Sequence, residues 1–226
     1  MNTQKKVVAL LGTALMFAAF SRAAAGQVED LESRLKKDPT NAALLLELGR
    51  QYHHLAFLQN NEQAVESADK HLTRLLAVDP ENAAGMVYLG SIKTMKARAS
   101  QDRPWEALEL LQEGFALMDK AVQLAPGHPE VRFLRAVNSV SVPDTFGRLS
   151  VALEDFEALD ELVKNNSACL ERGMLCSGYY FYGLALLKVE DKTKAEKAFR
   201  RAVETDPQSS FANKARNQLS ALEKTK

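Results

Sequence analysis

An all-α chain, folded as an α-α superhelix of about four helical hairpins with a leading half-hairpin and a closing helix, is predicted by three observations. The segment Tyr179 to Pro207 spaces small, bulky and helix-ending residues as a tight hairpin requires. The same offsets recur upstream. Asp38-Pro39, Asp79-Pro80, Ala125-Pro126 and Asp206-Pro207 then punctuate the chain, each after an amphipathic helical run.

The physical basis of the spacing is close approach. Two antiparallel helices come near each other only where side chains are small, so Gly183 and Ala195 mark the crossing while Tyr179, Tyr182 and Phe199 fill the space around it. Pro207 has no amide hydrogen and disfavours helix at the residue before it, which stops the second helix near Asp206.

In chain order, Val28 to Lys37 carries Leu31 and Leu35 on one face and suits a leading half-repeat. The first hairpin, about 42–80, brings Leu45, Leu48, Gly49 and Tyr52, then, past about seven extra residues, Ala68, Leu72, Leu75 and Pro80. The second, about 83–126, brings Met86, Leu89 and Gly90, then, past about twelve extra residues, Gly114, Met118, Ala121 and Pro126. The third, about 129–166, departs from the pattern. It has Arg132 and Arg135 at the bulky positions and Ala136 for the glycine, then Ala152, Phe156 and Leu159, with Asn165-Asn166 in place of the proline. The fourth, about 176–207, is the most regular. Residues 209–223 carry Phe211, Ala215, Leu219 and Leu222 among polar residues, a closing helix with one wet face.

Tyr179, Tyr182, Gly183, Ala195, Phe199, Ala202 and Pro207 stand in for the W-x2-L-G-x2-Y…A-x3-F…P pattern, with Leu186 where Tyr is usual. The chain thus resembles the tetratricopeptide repeat family over nearly all of residues 26–226, most closely in the fourth unit. That resemblance implies a binding scaffold and no catalyst. It also implies a concave face lined by the first helix of every pair. Counted along the repeats, the inward positions are Leu46, Arg50 and His53, then Val87, Ser91 and Thr94, then Phe133, Val137 and Val140, then Tyr180, Leu184 and Leu187. Polar and basic groups gather in the first unit, and the third and fourth offer an apolar strip.

Such a strip needs a cover. A partner peptide or helix, a small hydrophobic ligand held between the third and fourth units, or the protein's own neighbouring helices would each provide one. Arg50 would pair with a carboxylate on a bound peptide. The units are lengthened near 58–62, 99–106 and 142–148, which raises a rim on one edge that carries Trp105, Phe146 and Arg148; ordinary packing of the two aromatics is the other reading.

Lys5 and Lys6 precede an apolar run from Val7 to Phe20, and Ala23-Ala24-Ala25 supplies a small-residue cleavage site, so residues 1–25 read as a signal peptide. The run is short for a membrane span, and no cysteine follows it for lipidation. A periplasmic or secreted protein is expected, touching the membrane only through a partner or an uncleaved signal. Oxidising surroundings would favour a disulfide between Cys169 and Cys176, stapling the segment between the third and fourth units.

Charge argues against nucleic acid as a partner. The chain has 29 basic and 29 acidic residues, and loss of Lys5, Lys6 and Arg22 with the signal leaves a net of about −3. Metal and cofactor readings also fare poorly. His53 and His54 are adjacent and point about 100° apart on a helix, and His71 and His128 lack companions at ligand spacing. The acidic run Glu154, Asp155, Glu157, Asp160 and Glu161 reads as a solvated face. No phosphate loop, nucleophile elbow or zinc-protease signature is present. A scaffold of the cell envelope that binds a protein partner is the reading these residues support. An accessory protein of a transport system holding an apolar ligand is the alternative, and self-association through the same surface is a third.

Overall fold

The computed structural model describes residues 26–100, 102–166 and 168–224. The signal peptide expected over residues 1–25 lies outside them. The described residues form ten α-helices and one 3-10 turn, with no strand. Helix α1 covers residues 26–37, followed by α2 (Ala42–Gln59), α3 (Glu62–Val78), α4 (Ala83–Ala99) and α5 (Pro104–Leu124). Then come α6 (Pro129–Val140), the 3-10 turn Asp144–Phe146, α7 (Leu149–Asn165), α8 (Arg172–Lys188), α9 (Lys192–Thr205) and α10 (Ser210–Glu223). The all-α class and the order of hairpins match the sequence expectation.

Local chemistry sets the helix ends. Asn41, Asn61 and Asn82 accept from the amides of Leu44, Ala64 and Gly85 at 3.0, 3.0 and 2.8 Å, and Asp191 and Ser209 cap α9 and α10 in the same way. Pro104 and Pro129 occupy the first turns of α5 and α6, where a missing amide costs nothing. At the far ends, Asp79, Ala125 and Asp206 adopt φ/ψ of −137/81°, −135/65° and −146/84°, the extended backbone that a following proline enforces. Asn166 takes −149/98° without a proline after it, so the third hairpin ends by the same geometry from a different residue.

Where one domain is expected over 26–226, the chain divides into two compact units at the Asp79-Pro80 punctuation, one ending at Pro80 and one beginning at Glu81. In the first, α1 precedes the α2–α3 hairpin, whose crossing sets Gly49 directly against the Leu72 side chain. The core there is Val28, Leu31, Leu35, Leu45, Leu48, Ala68, Leu72 and Leu75. In the second, the hairpins α4–α5, α6–α7 and α8–α9 follow one another, and α10 packs on α8 and α9. A Cβ at Gly90 would lie 2.5 Å from the Gly114 carbonyl oxygen, and one at Gly183 would lie 2.5 Å from the Phe199 ring. Both glycines are there because helices pass that closely.

Helix α6 is enclosed. It packs against α4, α5, α7 and α8, and each of residues 133–140 is buried.

Candidate interaction surface

In the first unit the expected inward positions lie on α2. Leu46 and Arg50 are half-buried, while His53 is 7% exposed and buried. Burial, with a smaller contribution from the charge of His54, pushes the His53 pKa down to about 3, so this ring is neutral core and not a surface contact. Past it, the end of α2 leaves Phe57 and Leu58 exposed.

In the second unit the counted positions on α4 and α6 are covered by the protein's own helices, one of the three covers the sequence allows. Val87, Ser91, Thr94, Phe133, Val137 and Val140 are all buried. Ser91 and Thr94 meet Asn138 in a polar seam. The Asn138 amide donates to Ser91 Oγ at 3.1 Å and to the Leu134 carbonyl at 2.8 Å, and the Thr94 hydroxyl lies 2.7 Å from the Ser91 carbonyl and 2.5 Å from Asn138 Oδ1. Phe133 is covered by α8, where a Cβ at Gly178 would touch its ring at 3.4 Å. These six positions therefore bind helix to helix inside the unit. The repeat count places them on the right faces, but the first helices of successive pairs pack on one another.

On α8, Tyr180, Leu184 and Leu187 are half-buried. Tyr180 lies in an aromatic cluster, its ring 5.4 Å from Phe181, 6.0 Å from Phe199 and 5.7 Å from Phe211, with Phe181 and Phe211 a further 5.7 Å pair. The Lys214 ammonium sits 4.8 Å over the Phe211 ring. Phe181 is half-buried and was not among the expected positions; the unbroken run Tyr179 to Tyr182 was its signal. At the end of α8, Lys188 donates to the Val140 carbonyl at 3.2 Å and to Asp144 at 2.8 Å, which closes off the last turn of α6.

Of the rim residues, Trp105 is 80% exposed and Phe146 38%, so neither tucks into the core. Arg148 does not project. It donates twice to Asp119, at 2.8 and 2.7 Å, and its guanidinium lies 4.5 Å over the Phe115 ring.

That pair belongs to a network that the sequence reading missed. Asp155 is wholly buried and accepts from Arg132 at 2.6 Å and from Arg135 at 2.7 and 2.9 Å, while Arg135 also reaches Asp119 at 3.1 Å. The acidic run is thus no uniform solvated face. Burial by itself would raise the Asp119 pKa, but the guanidiniums of Arg148 and Arg135 hold it below the usual carboxylate range. The two arginines at the bulky positions of the third hairpin find their counter-charges on α7 and α5.

The expected disulfide is not formed. Cys169 and Cys176 are free thiols. Cys176 is buried in the α8–α10 core, its sulfur 3.2 Å from the Ala202 carbonyl and 3.0 Å from Ser209 Oγ, and so is engaged away from Cys169. Burial raises both thiol pKa values, the reverse of what a reactive thiolate needs.

Between α7 and α8 a crevice lined by Phe156, Leu159, Val163, Tyr179 and Tyr182 has a free volume of about 10 Å³, room for one water-sized guest. No helix among the described residues is long and apolar enough to cross a membrane.

Residues 177–209 match the sequence profile of the Tetratricopeptide repeat family. A thermophilic TPR protein from Thermus thermophilus superposes with a TM-score of 0.65 at 16% identity, over 94% of this chain and 96% of its own. MamA follows with a TM-score of 0.50 at 19% identity, over 84% and 86%. No curated relative matches the sequence. The fourth hairpin thus fits the tetratricopeptide repeat profile, and the chain as a whole is similar in fold to a solved tetratricopeptide repeat protein.

Proposed function

We propose that this chain is a non-catalytic scaffold of the cell envelope that binds a segment of a partner protein on the aromatic strip of α8 and α10. The observation that carries this reading is the half-buried aromatic cluster of Tyr180 and Phe181 on α8 with Phe211 on α10, beside which α8 also presents the half-buried Leu184 and Leu187. Aromatic side chains supply large contact area with few rotors to freeze, which suits them as anchors. The exposed Trp105 and Phe146 offer secondary contacts on the edge where the hairpins are lengthened. Envelope placement rests on residues 1–25, whose charged start, apolar run and Ala23-Ala24-Ala25 fit a cleaved leader.

Crosslinking and co-purification from an envelope fraction tests this. Leu184→Asp and Phe181→Ala should each lose the captured partner while far-ultraviolet circular dichroism stays unchanged. Full capture by both folded variants rejects the strip. Mass measurement of the exported protein should find it beginning after Ala25. A small apolar ligand between the third and fourth hairpins is the second reading; the narrowness of the α7–α8 crevice counts against it, and organic extraction of the purified protein would reveal such a compound.

A further inference from the structure

We propose that Glu32, Tyr52 and His71 form an acid-released latch that holds α1 on the α2–α3 hairpin. Each helix of the first unit contributes one of the three side chains. Glu32 Oε1 lies 2.9 Å from His71 Nε2 and accepts from the Tyr52 hydroxyl at 3.2 Å. The Tyr52 and His71 rings stack with centroids 5.7 Å apart and planes 2° from parallel. One carboxylate oxygen therefore ties α1 to both helices of the hairpin. Val28, Leu31 and Leu35 supply the apolar part of the attachment, all buried.

The second ring nitrogen makes the arrangement sensitive to acid. With Nε2–H donating to Glu32, Nδ1 of the neutral ring is an acceptor, and it is buried without a hydrogen-bond partner. Protonation turns it into a buried donor that faces no acceptor, which is costly. The charged groups around the ring act in both directions: Glu32 of α1 favours the imidazolium, while Lys70 and Arg74 on α3 oppose it. Tyr52 of α2 bears no charge and competes for the same Glu32 oxygen. Burial outweighs Glu32, and the pKa of the latched ring is lowered from the ordinary 6.5.

Release of α1 opens the ring to water, which relieves the burial that lowers its pKa and moves it back toward the ordinary value. The released form then binds the proton more tightly, so acid favours release in the window that opens below about pH 6.5 and closes at the depressed pKa of the latched ring. Release uncovers the stripe Val28, Leu31 and Leu35 and the hairpin surface beneath it. An apolar face is thereby uncovered in acid and covered at neutral pH.

Hydrogen exchange by mass spectrometry on the full chain tests the latch, with rates corrected for intrinsic chemistry. Residues 28–37 should exchange ahead of α2 and α3 at about pH 7, and their protection should fall roughly tenfold between about pH 7 and about pH 5. His71→Gln keeps a side-chain donor for Glu32 and cannot titrate, so the loss in residues 28–37 should shrink below about threefold. Glu32→Gln keeps an acceptor but removes the charge that favours the imidazolium, so the acid response of α1 should grow. Protection in α1 that ignores pH, or equal protection of α1, α2 and α3 at both pH values, overturns the proposal. A wild-type response in His71→Gln does the same. Should that variant fail to fold, an unchanged response in Glu32→Gln is decisive against the latch.

Discussion

The two units handle buried ionisable groups in opposite ways. In the first, His53 and His71 are buried as neutral rings, and the carboxylate that meets His71 is that of Glu32, whose side chain is 34% exposed. In the second, charge itself is buried, with Asp155 at 0% exposure between Arg132 and Arg135. A neutral imidazole costs little to bury at neutral pH and fails on acidification. An ion pair is costly to assemble and fails when one partner is removed. The same repeat architecture therefore carries two different weaknesses.

Removing one partner should have the largest effect. Asp155→Ala leaves two arginines without their shared acceptor and should cost about 3–5 kcal/mol by chemical denaturation, whereas Glu154→Ala, at a side chain 67% exposed, should cost less than about 0.5 kcal/mol. Equal costs for the two would remove the contrast between the units. Acid should come next. The folded His53 pKa lies below its unfolded value, so the unfolded state takes up the proton first and stability falls as pH drops from about 6.5 toward 3. By pH 4 the first unit should have lost on the order of 3 kcal/mol. The depressed carboxylate of Asp119 works in a lower window, its contribution being intact above about pH 4 and lost as pH falls through the folded value. Exchange rates in α2 and α3 should therefore rise at a higher pH than those in α6 and α7. A simultaneous rise would mean that His53 is not the weak point.

A smaller difference should separate the hairpin crossings. Gly90→Ala drives a methyl into the backbone carbonyl of Gly114, while Gly49→Ala meets the Leu72 side chain, which has rotamers to spend. The first should cost about 2–3 kcal/mol and the second roughly 1 kcal/mol less, each after the helix-propensity gain of alanine. Thermal unfolding of the two variants would rank them. Trp105→Ala should change stability least, by under about 0.5 kcal/mol, since its ring is 80% exposed. A weakened partner complex from that variant, measured by titration, would give the exposed ring a purpose.

Most of the fold was legible because helix periodicity, glycine at crossings and proline after helices are local signals. Gly49, Gly90 and Gly183 sit at close approaches, as their spacing against bulky partners required. The candidate site was legible as positions and not as surface. Ser91, Thr94, Phe133 and Val137 occur where the repeat count puts first-helix faces, yet whether such faces open or close depends on how tightly successive pairs pack, which no local pattern encodes. Arg132 and Arg135 looked like departures from the repeat because their counter-charge, Asp155, lies 23 and 20 residues away inside an acidic run that reads as solvated. Cys176 looked available for a bridge because sequence separation says nothing of which way a helical side chain turns; Ala202 and Ser209 receive it instead.

Helix α6, whose residues 133–140 are all hidden among four neighbouring helices, sets a limit on modularity. Arrays of this kind are ordinarily shortened or extended one hairpin at a time, since each touches only the next. Here a chain trimmed after α7 would strip the lid from Phe133, leaving a greasy scar in place of a clean end. The last three hairpins must be inherited, expressed and engineered as one block.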